Sequence, residues 1–318
     1  MLSKNTRPGT SAAEKLEKLD EAYAPPRPER HIGSTPVAPP PSLPARLESS
    51  EKIILQEIRN VVGDKPVSEF RLQFAPRWLL DKSIDTEKEN YFAEGAYEEV
   101  DIKTLPRNAN IISSHHFFQV KHDGSADKLK LKCRMTPHGN KDDDKDSVRK
   151  DSRTAQFPII RTLICLCALL DISFATLDIK SAYLQAGKFP RTVFVRPPKG
   201  WAKLGIVWRI LKPTYGLAES GRLWQLAIER WFNTNDIFEV DGLPQLFVKH
   251  DADGNIVLLI AKVVDDLLIA GKKPAINDFH ELIKARFKVG RFQDDEQVIF
   301  NRLHISRQPD GDIKLSME

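Results

Sequence analysis

Asp265 and Asp266 stand side by side between two apolar runs, LLIAKVV and LLIAG. Such runs around two polar residues read as a β-hairpin whose two-residue loop is Asp265-Asp266. Aspartate is common in turns, so the pair has a plain structural explanation. Asp-Asp, however, lacks the glycine that relieves a tight loop, and adjacent carboxylates repel. At ~4 Å and an effective dielectric of about 20, that repulsion is on the order of 4 kcal/mol. Divalent cations remove it, and hard oxygen ligands suit magnesium.

In TLDIKSAYLQ an apolar strand delivers Asp178, and the chain then turns through Ser181, Ala182 and Tyr183. Alone, a strand-end aspartate can simply satisfy local backbone donors. Three carboxylates at neighbouring strand ends can do more. They can hold two metal ions roughly 4 Å apart, one activating an attacking hydroxyl and the other stabilising the leaving group of an in-line phosphoryl transfer. A residue three to five positions past such an aspartate is placed to line a sugar pocket.

A cationic strand comes earlier in the chain. Lys128, Lys130, Lys132 and Arg134 alternate with Leu129, Leu131, Cys133 and Met135. Period two puts the cations on one face and the apolar groups on the other. A solvated strand face accounts for this, and so does phosphate binding, since the cations fall ~7 Å apart. Arginine is the better direct phosphate ligand because its fork is bidentate. In KPTYGLAESGRLW a glycine-containing loop opens a helix; a helix cap and a close backbone approach to a base or phosphate both fit. Trp201, Trp208 and Tyr215 could stack bases, with core packing as the default. Cys133 and His138 lack a second ligand pair, so a structural zinc is not expected.

The elements that must position these residues are legible from periodicity. EKIILQEIRNVV has helical spacing at Ile54, Ile58 and Val61, and Asp85 to Val100 reads as a second, acidic helix. IISSHHFFQVK and LKLKCRM read as a hairpin around the turn HDGSADK. The charged stretch NKDDDKDSVRKDS reads as a mobile loop. QFPIIRTLICLCALL reads as a buried helix with Pro158 in its first turn, placing Cys165 and Cys167 on different sides. FATLDI is a strand. ESGRLWQLAIERWF is a helix with Leu223, Ala227 and Trp231 on one stripe and Trp224, Ile228 and Phe232 beside it. Strands and helices mixed without βαβ alternation predict an α+β fold with an antiparallel sheet.

The 318 residues carry a net charge of +4, which permits nucleic acid without arguing for it. Three cysteines in no framework spacing suit a reducing compartment. The longest apolar stretch is too short to cross a bilayer, and the N-terminus lacks a signal-peptide segment. An intracellular, cytoplasmic protein away from membranes is expected. Residues 1–48, rich in proline, read as a disordered linker.

TLDIKSAYLQ, VRPPKGW, WRILKPTYGLAESGRLW and KVVDDLLIAG, in that order, resemble the reverse transcriptase of copia-type (pseudovirus) LTR retrotransposon Pol polyproteins. NANIISSHHFFQVKHDGSADKLKLKCRMTPHGN resembles that family's fingers hairpin. The resemblance runs from about Thr86 to about residue 315. It implies a right-hand polymerase with fingers, an antiparallel palm sheet and a truncated thumb. It implies DNA synthesis from dNTPs on an RNA or DNA template with a primer, using two Mg2+ ions for which Mn2+ can substitute. Asp178, Asp265 and Asp266 take the catalytic and metal-binding positions, with the Ile179 backbone as a further metal ligand. Lys132, Arg134, Ser181, Ala182, Tyr183 and Gly216 fall at nucleotide-binding positions, with Tyr183 excluding a ribose 2′-hydroxyl. Lys128 and Lys130 fall at nucleic-acid-binding positions.

The organisation so implied is a linker over 1–48, a poorly defined N-terminal extension over 49–83 and a fingers/palm domain over 84–318. An incomplete thumb and no ribonuclease H constellation are expected of this chain. The chain then reads as a fragment of a Pol polyprotein whose partners in an intact element are integrase and ribonuclease H. Two departures stand out. Val263-Val264 replaces the usual Tyr-Val before the acidic pair, and Phe300, Asn301 and Arg302 replace the common Phe-Leu-Gly. The competing reading is an inactive or repurposed retroelement fragment that binds nucleic acid without catalysis. A calcium module built on DADGN fails for want of an EF-hand ligand ladder.

Overall fold

A computed structural model describes residues 51–122 and 129–317; the Pro-rich linker, the hairpin turn with Lys128, and residue 318 lie outside the described residues. The architecture is α+β with predominantly antiparallel sheets.

The N-terminal part is organised around one long hairpin. β3 (Ile111–His122) pairs antiparallel with β4 (Leu129–Pro137), as the alternation predicts. Leu131, Cys133 and Met135 are buried while Lys130 and Lys132 are exposed. Helix α1 (Glu51–Val62) covers the apolar side with Ile54, Leu55 and Ile58. Each such fully buried side chain contributes roughly 1.5–3 kcal/mol relative to exposure.

Helix α2 (Arg77–Ala93) adds Leu79, Leu80 and Tyr91 to this core. It starts earlier and ends sooner than the acidic helix expected over Asp85 to Val100. Gly95 adopts φ +57 just past its end, a conformation that costs glycine least, and β2 (Tyr97–Asp101) follows. The N-terminal strands form a sheet of six with β1 (Val67–Ser68), β6 (Phe194–Arg196) and β7 (Ile206–Ile210), in which β3 and β6 run parallel. Trp208 and Trp201 are buried here, and Tyr97 stacks on Trp208 at 3.7 Å, so neither tryptophan is free to stack on a base.

The second sheet carries the acids. Its order is β12 (Val289–Gln293), β5 (Ser173–Ile179), β11 (Asp266–Gly271), β10 (Ile256–Val263), β9 (Leu246–His250) and β8 (Ile237–Glu239). Both faces of this sheet are covered, which explains why its central strands read as continuous apolar runs. On one face, Leu267 and Ile269 meet Trp224, Ile228 and Phe232 of helix α4 (Ser220–Thr234) and Ile276, Phe279 and Ile283 of helix α5 (Lys273–Lys284). On the other, Leu268 and Ala270 meet Ile160, Leu163, Ile164 and Cys167 of helix α3 (Phe157–Leu169). Cys165 is exposed and Cys167 buried, as helical spacing requires.

A three-stranded sheet of β13 (Gln297–Phe300), β14 (Leu303–Arg307) and β15 (Ile313–Met317) also packs on that face. Its first turn is Asn301-Arg302, both at positive φ, the backbone of a two-residue hairpin loop. That is how the departure from Phe-Leu-Gly is accommodated. Among the described residues, no helix is long and apolar enough to cross a membrane.

Candidate active site

Asp178 is the penultimate residue of β5, and Asp266 is the first of β11. The register places them directly opposite one another. Cα atoms of such a cross-strand pair lie about 4.5–5.5 Å apart. Asp265 precedes Asp266 in the hairpin loop, so all three aspartates lie at one end of adjacent central strands.

The loop is offset from the sequence expectation by one residue. Val263 pairs with Asp266, which makes Val264 and Asp265 the two loop residues rather than Asp265 and Asp266. Val264 takes φ +56, an unfavourable conformation for a β-branched residue. Its neighbours hold it there. Trp224 Nε1 donates to the Val264 carbonyl at 2.8 Å, and the Ile179 amide donates to the Asp265 carbonyl at 3.0 Å. Helix α4 and strand β5 therefore brace the acidic turn from two directions.

The three carboxylates repel one another in a partly buried site. Burial, then the charges of Asp265 and Asp178, push the Asp266 carboxyl up to about 7. Burial and Asp265 also raise Asp178, opposed by Lys132, Lys121 and Lys130. The donors are all hard carboxylate oxygens, and a divalent cation among them would relieve both burial and repulsion. This donor chemistry fits magnesium, although among the described residues no three such groups are already gathered into an ion-binding cluster.

Facing the acids is the cationic side of the β3–β4 hairpin. Lys121 pairs with Lys130, Gln119 with Lys132 and Phe117 with Arg134. Directly opposed residues share a face, so Lys121 joins the cation row. Lys121 lies within electrostatic reach of all three aspartates, and Lys132 of Asp178 and Glu87. Sequence reading missed Lys121 because it sits on the other strand of the hairpin; the signal was its own period-two place after Phe117 and Gln119.

Arg134 lies over the Tyr215 ring at 4.5 Å, and that ring is also 4.5 Å from the ring of Tyr183. Tyr183 follows a Ser181 at φ +48 and a buried Ala182, in a short 3-10 turn. Burial raises the Tyr183 hydroxyl, so it stays protonated near neutrality. Gly216 is at φ +94, and a Cβ there would lie 2.3 Å from the Pro137 carbonyl oxygen, so the loop meets the end of β4 backbone to backbone. Of the residues singled out from sequence, Asp178, Asp265, Asp266, Ile179, Ser181, Ala182, Tyr183, Lys130, Lys132, Arg134 and Gly216 thus surround one region; Lys128 lies outside the described residues. Gly290 on β12, which nothing in the sequence marks, also abuts Asp178.

Known proteins share sequence or fold with this chain. Over 233 residues the chain is 26% identical to the retrovirus-related Pol polyprotein from transposon TNT 1-94 of Nicotiana tabacum, covering 71% of this chain and 17% of that one. It is 29% identical over 147 residues to a putative transposon Ty5-1 protein of Saccharomyces cerevisiae, covering 45% of this chain and 46% of that one. A telomerase structure from Candida albicans, with a fragment of telomeric RNA, is similar at a TM-score of 0.44 and 9% identity, over 76% of this chain and 50% of that one. The chain thus spans less than half the length of either curated relative. Residues 97–317 match the family described as reverse transcriptase (RNA-dependent DNA polymerase). That match takes in the hairpin from β3 to β4 and Asp178, Asp265 and Asp266, and on it the chain belongs to the reverse transcriptase family, as its motif order implies for the copia-type retrotransposon group.

Proposed function

We propose that this chain carries the nucleotidyl-transfer site of a retrotransposon Pol protein and extends a primer 3′ end with dNTPs on an RNA or DNA template. The cross-strand register of Asp178 with Asp266, beside Asp265 and opposite a row of cations, carries this reading. In it, Asp178, Asp265 and Asp266, with the Ile179 carbonyl, hold two Mg2+ or Mn2+ ions. Those ions, when bound, supply activation of the primer hydroxyl and charge neutralisation at the leaving pyrophosphate.

The chain's own residues do the rest. Lys132 and Arg134, with Lys121 beside them, orient and neutralise the triphosphate, and the Ser181 and Ala182 amides donate to it. Tyr183 fills the space a 2′-hydroxyl would need. Gly216 brings bare backbone alongside the incoming base, and Lys130 contacts nucleic-acid phosphate. The hairpin sheet corresponds to fingers and the acid-bearing sheet to palm within a domain over 84–318, preceded by an extension over 49–83 and the linker over 1–48. Template, primer, integrase and ribonuclease H are the partners in an intact element.

Primer extension on an RNA template with Mg2+ or Mn2+ tests this. Wild type extends, and Asp265→Ala/Asp266→Ala does not. Absence of wild-type extension with template binding intact would leave nucleic-acid binding without catalysis as the function of this chain.

A further inference from the structure

The charged stretch after β4, expected as a mobile loop, contains a carboxylate with no solvent exposure at all: the side chain of Asp142. Arg191, itself nearly buried, reaches it with both terminal nitrogens, Nη1 donating to Oδ1 at 3.0 Å and Nη2 donating to Oδ2. Asn110 Nδ2 donates to the same Oδ1 at 2.7 Å. The other edge of the Arg191 guanidinium holds Glu219, also buried, through Nε at 2.5 Å and Nη2 at 3.1 Å. One guanidinium thus spans two buried carboxylates from distant parts of the chain.

As a means of stability alone this is a poor choice, because desolvating charges offsets much of their attraction and apolar packing of similar volume often does as well. What a doubly bidentate guanidinium does supply is fixed geometry. Its two partners flank the point where two backbones touch. Asp142 ends the turn that starts at Gly139, where a Cβ would lie 1.9 Å from the Gly216 carbonyl oxygen. Glu219 immediately precedes α4, three residues past Gly216. Between these contacts sits Tyr215, whose ring meets both Arg134 and Tyr183.

We propose that Arg191 is a positioning residue. By drawing Asp142 and Glu219 together, it clamps the 137–142 segment to the 213–220 loop, seats Tyr215 against Arg134 and Tyr183, and so sets affinity for a nucleoside triphosphate it does not touch. The nucleotide part rests on the function proposed above; the clamp does not.

Two measurements on the full chain separate them. Arg191→Lys keeps the charge but cannot span both carboxylates. Amide hydrogen exchange without substrate should speed up about tenfold in both segments together, while β5 and β11 keep their protection. In single-nucleotide extension, KM for dNTP should rise about tenfold with kcat within about twofold, the pattern of lost ground-state positioning. Unchanged exchange in either segment overturns the clamp, and a fall in kcat at constant KM overturns the positioning role. If wild type extends nothing, the polymerase reading fails while the exchange result still decides the clamp. Should Arg191→Lys fail to fold, the charge-free set Asp142→Asn/Arg191→Gln/Glu219→Gln takes its place with the same two readouts and the same expected directions.

Discussion

Gly290 presents bare backbone to the carboxylate of Asp178: a Cβ at Gly290 would lie 2.1 Å from Oδ2 and 3.1 Å from Cγ. The register of β12 against β5 shifts between Val289 and Phe292, and that irregularity carries Gly290 to this place. Its φ is outside the left-handed region, so alanine is allowed by the backbone and refused only by Asp178. Gly290→Ala should cost roughly 1–2 kcal/mol of stability, because the carboxylate can rotate away while the Asp178 carbonyl oxygen, 3.2 Å from the new Cβ, must give only slightly. The rotation should lower primer extension by roughly 10–100-fold. Full activity in this variant would show that the orientation of Asp178 is unimportant.

On the metal-binding role proposed for them, the raised Asp266 and Asp178 carboxyls predict that divalent cations stabilise the fold. Millimolar Mg2+ or Mn2+ should raise the melting temperature of wild type, by binding the native state alone. In Asp265→Asn/Asp266→Asn the metal-free protein should melt higher than wild type at pH 8, since two repelling charges are gone, and should no longer respond to the ions. Thermal denaturation with and without metal reads both effects. An equal metal response in the two proteins would place the ions elsewhere.

Lys262, on β10 just before the acidic turn, has no exposed surface, and its Nζ lacks a hydrogen-bond partner among the described residues. Burial holds its ammonium down to about 8, partly opposed by Glu229 and Glu239. Below pH 8 both folded and unfolded chains are charged there, and the desolvation cost opposes folding in full. Between pH 8 and the ordinary lysine range the unfolded chain binds the extra proton, so stability from this group recovers as pH rises. Lys262→Met should therefore stabilise the protein by roughly 1–3 kcal/mol at pH 7, with the gain shrinking above pH 8. Denaturant midpoints of the two proteins from pH 6 to 10 give the comparison. A gain that grows with pH would reverse the assignment.

Tyr183 and Tyr215 pack with ring centroids 4.5 Å apart, so the Tyr183 ring is braced by its neighbour. Tyr183→Val should raise incorporation of ribonucleotides relative to deoxyribonucleotides by about 10-fold or more, equivalent to about 1.4 kcal/mol of lost discrimination. The ratio of kcat/KM values for the two substrates is the measure. Unchanged discrimination would remove Tyr183 from the sugar pocket.

What could be read from the sequence was local. Period two revealed the cation-bearing strand β4, and helical spacing revealed α1, α3 and α4. The apolar runs around Asp265-Asp266 and before Asp178 marked two strand ends with chemistry at their tips. Local pattern does not say which strands are neighbours or in what register, because those depend on contacts between segments far apart in the chain. Only the pairing of β11 with β5 set Asp178 opposite Asp266, and only the pairing of β10 with β11 placed Val264 in the loop in place of Asp266. The same holds for the residues that no local signal marked. Lys121 acquires a role because β3 lies beside β4, Gly290 because a bulge presses it on Asp178, and Asp142 because Arg191 neutralises a charge that would otherwise stay in water. The acids at the centre of the site were written in the sequence; their convergence at one end of a sheet covered on both faces was decided by the tertiary fold, since only long-range pairing brings like charges together against their repulsion.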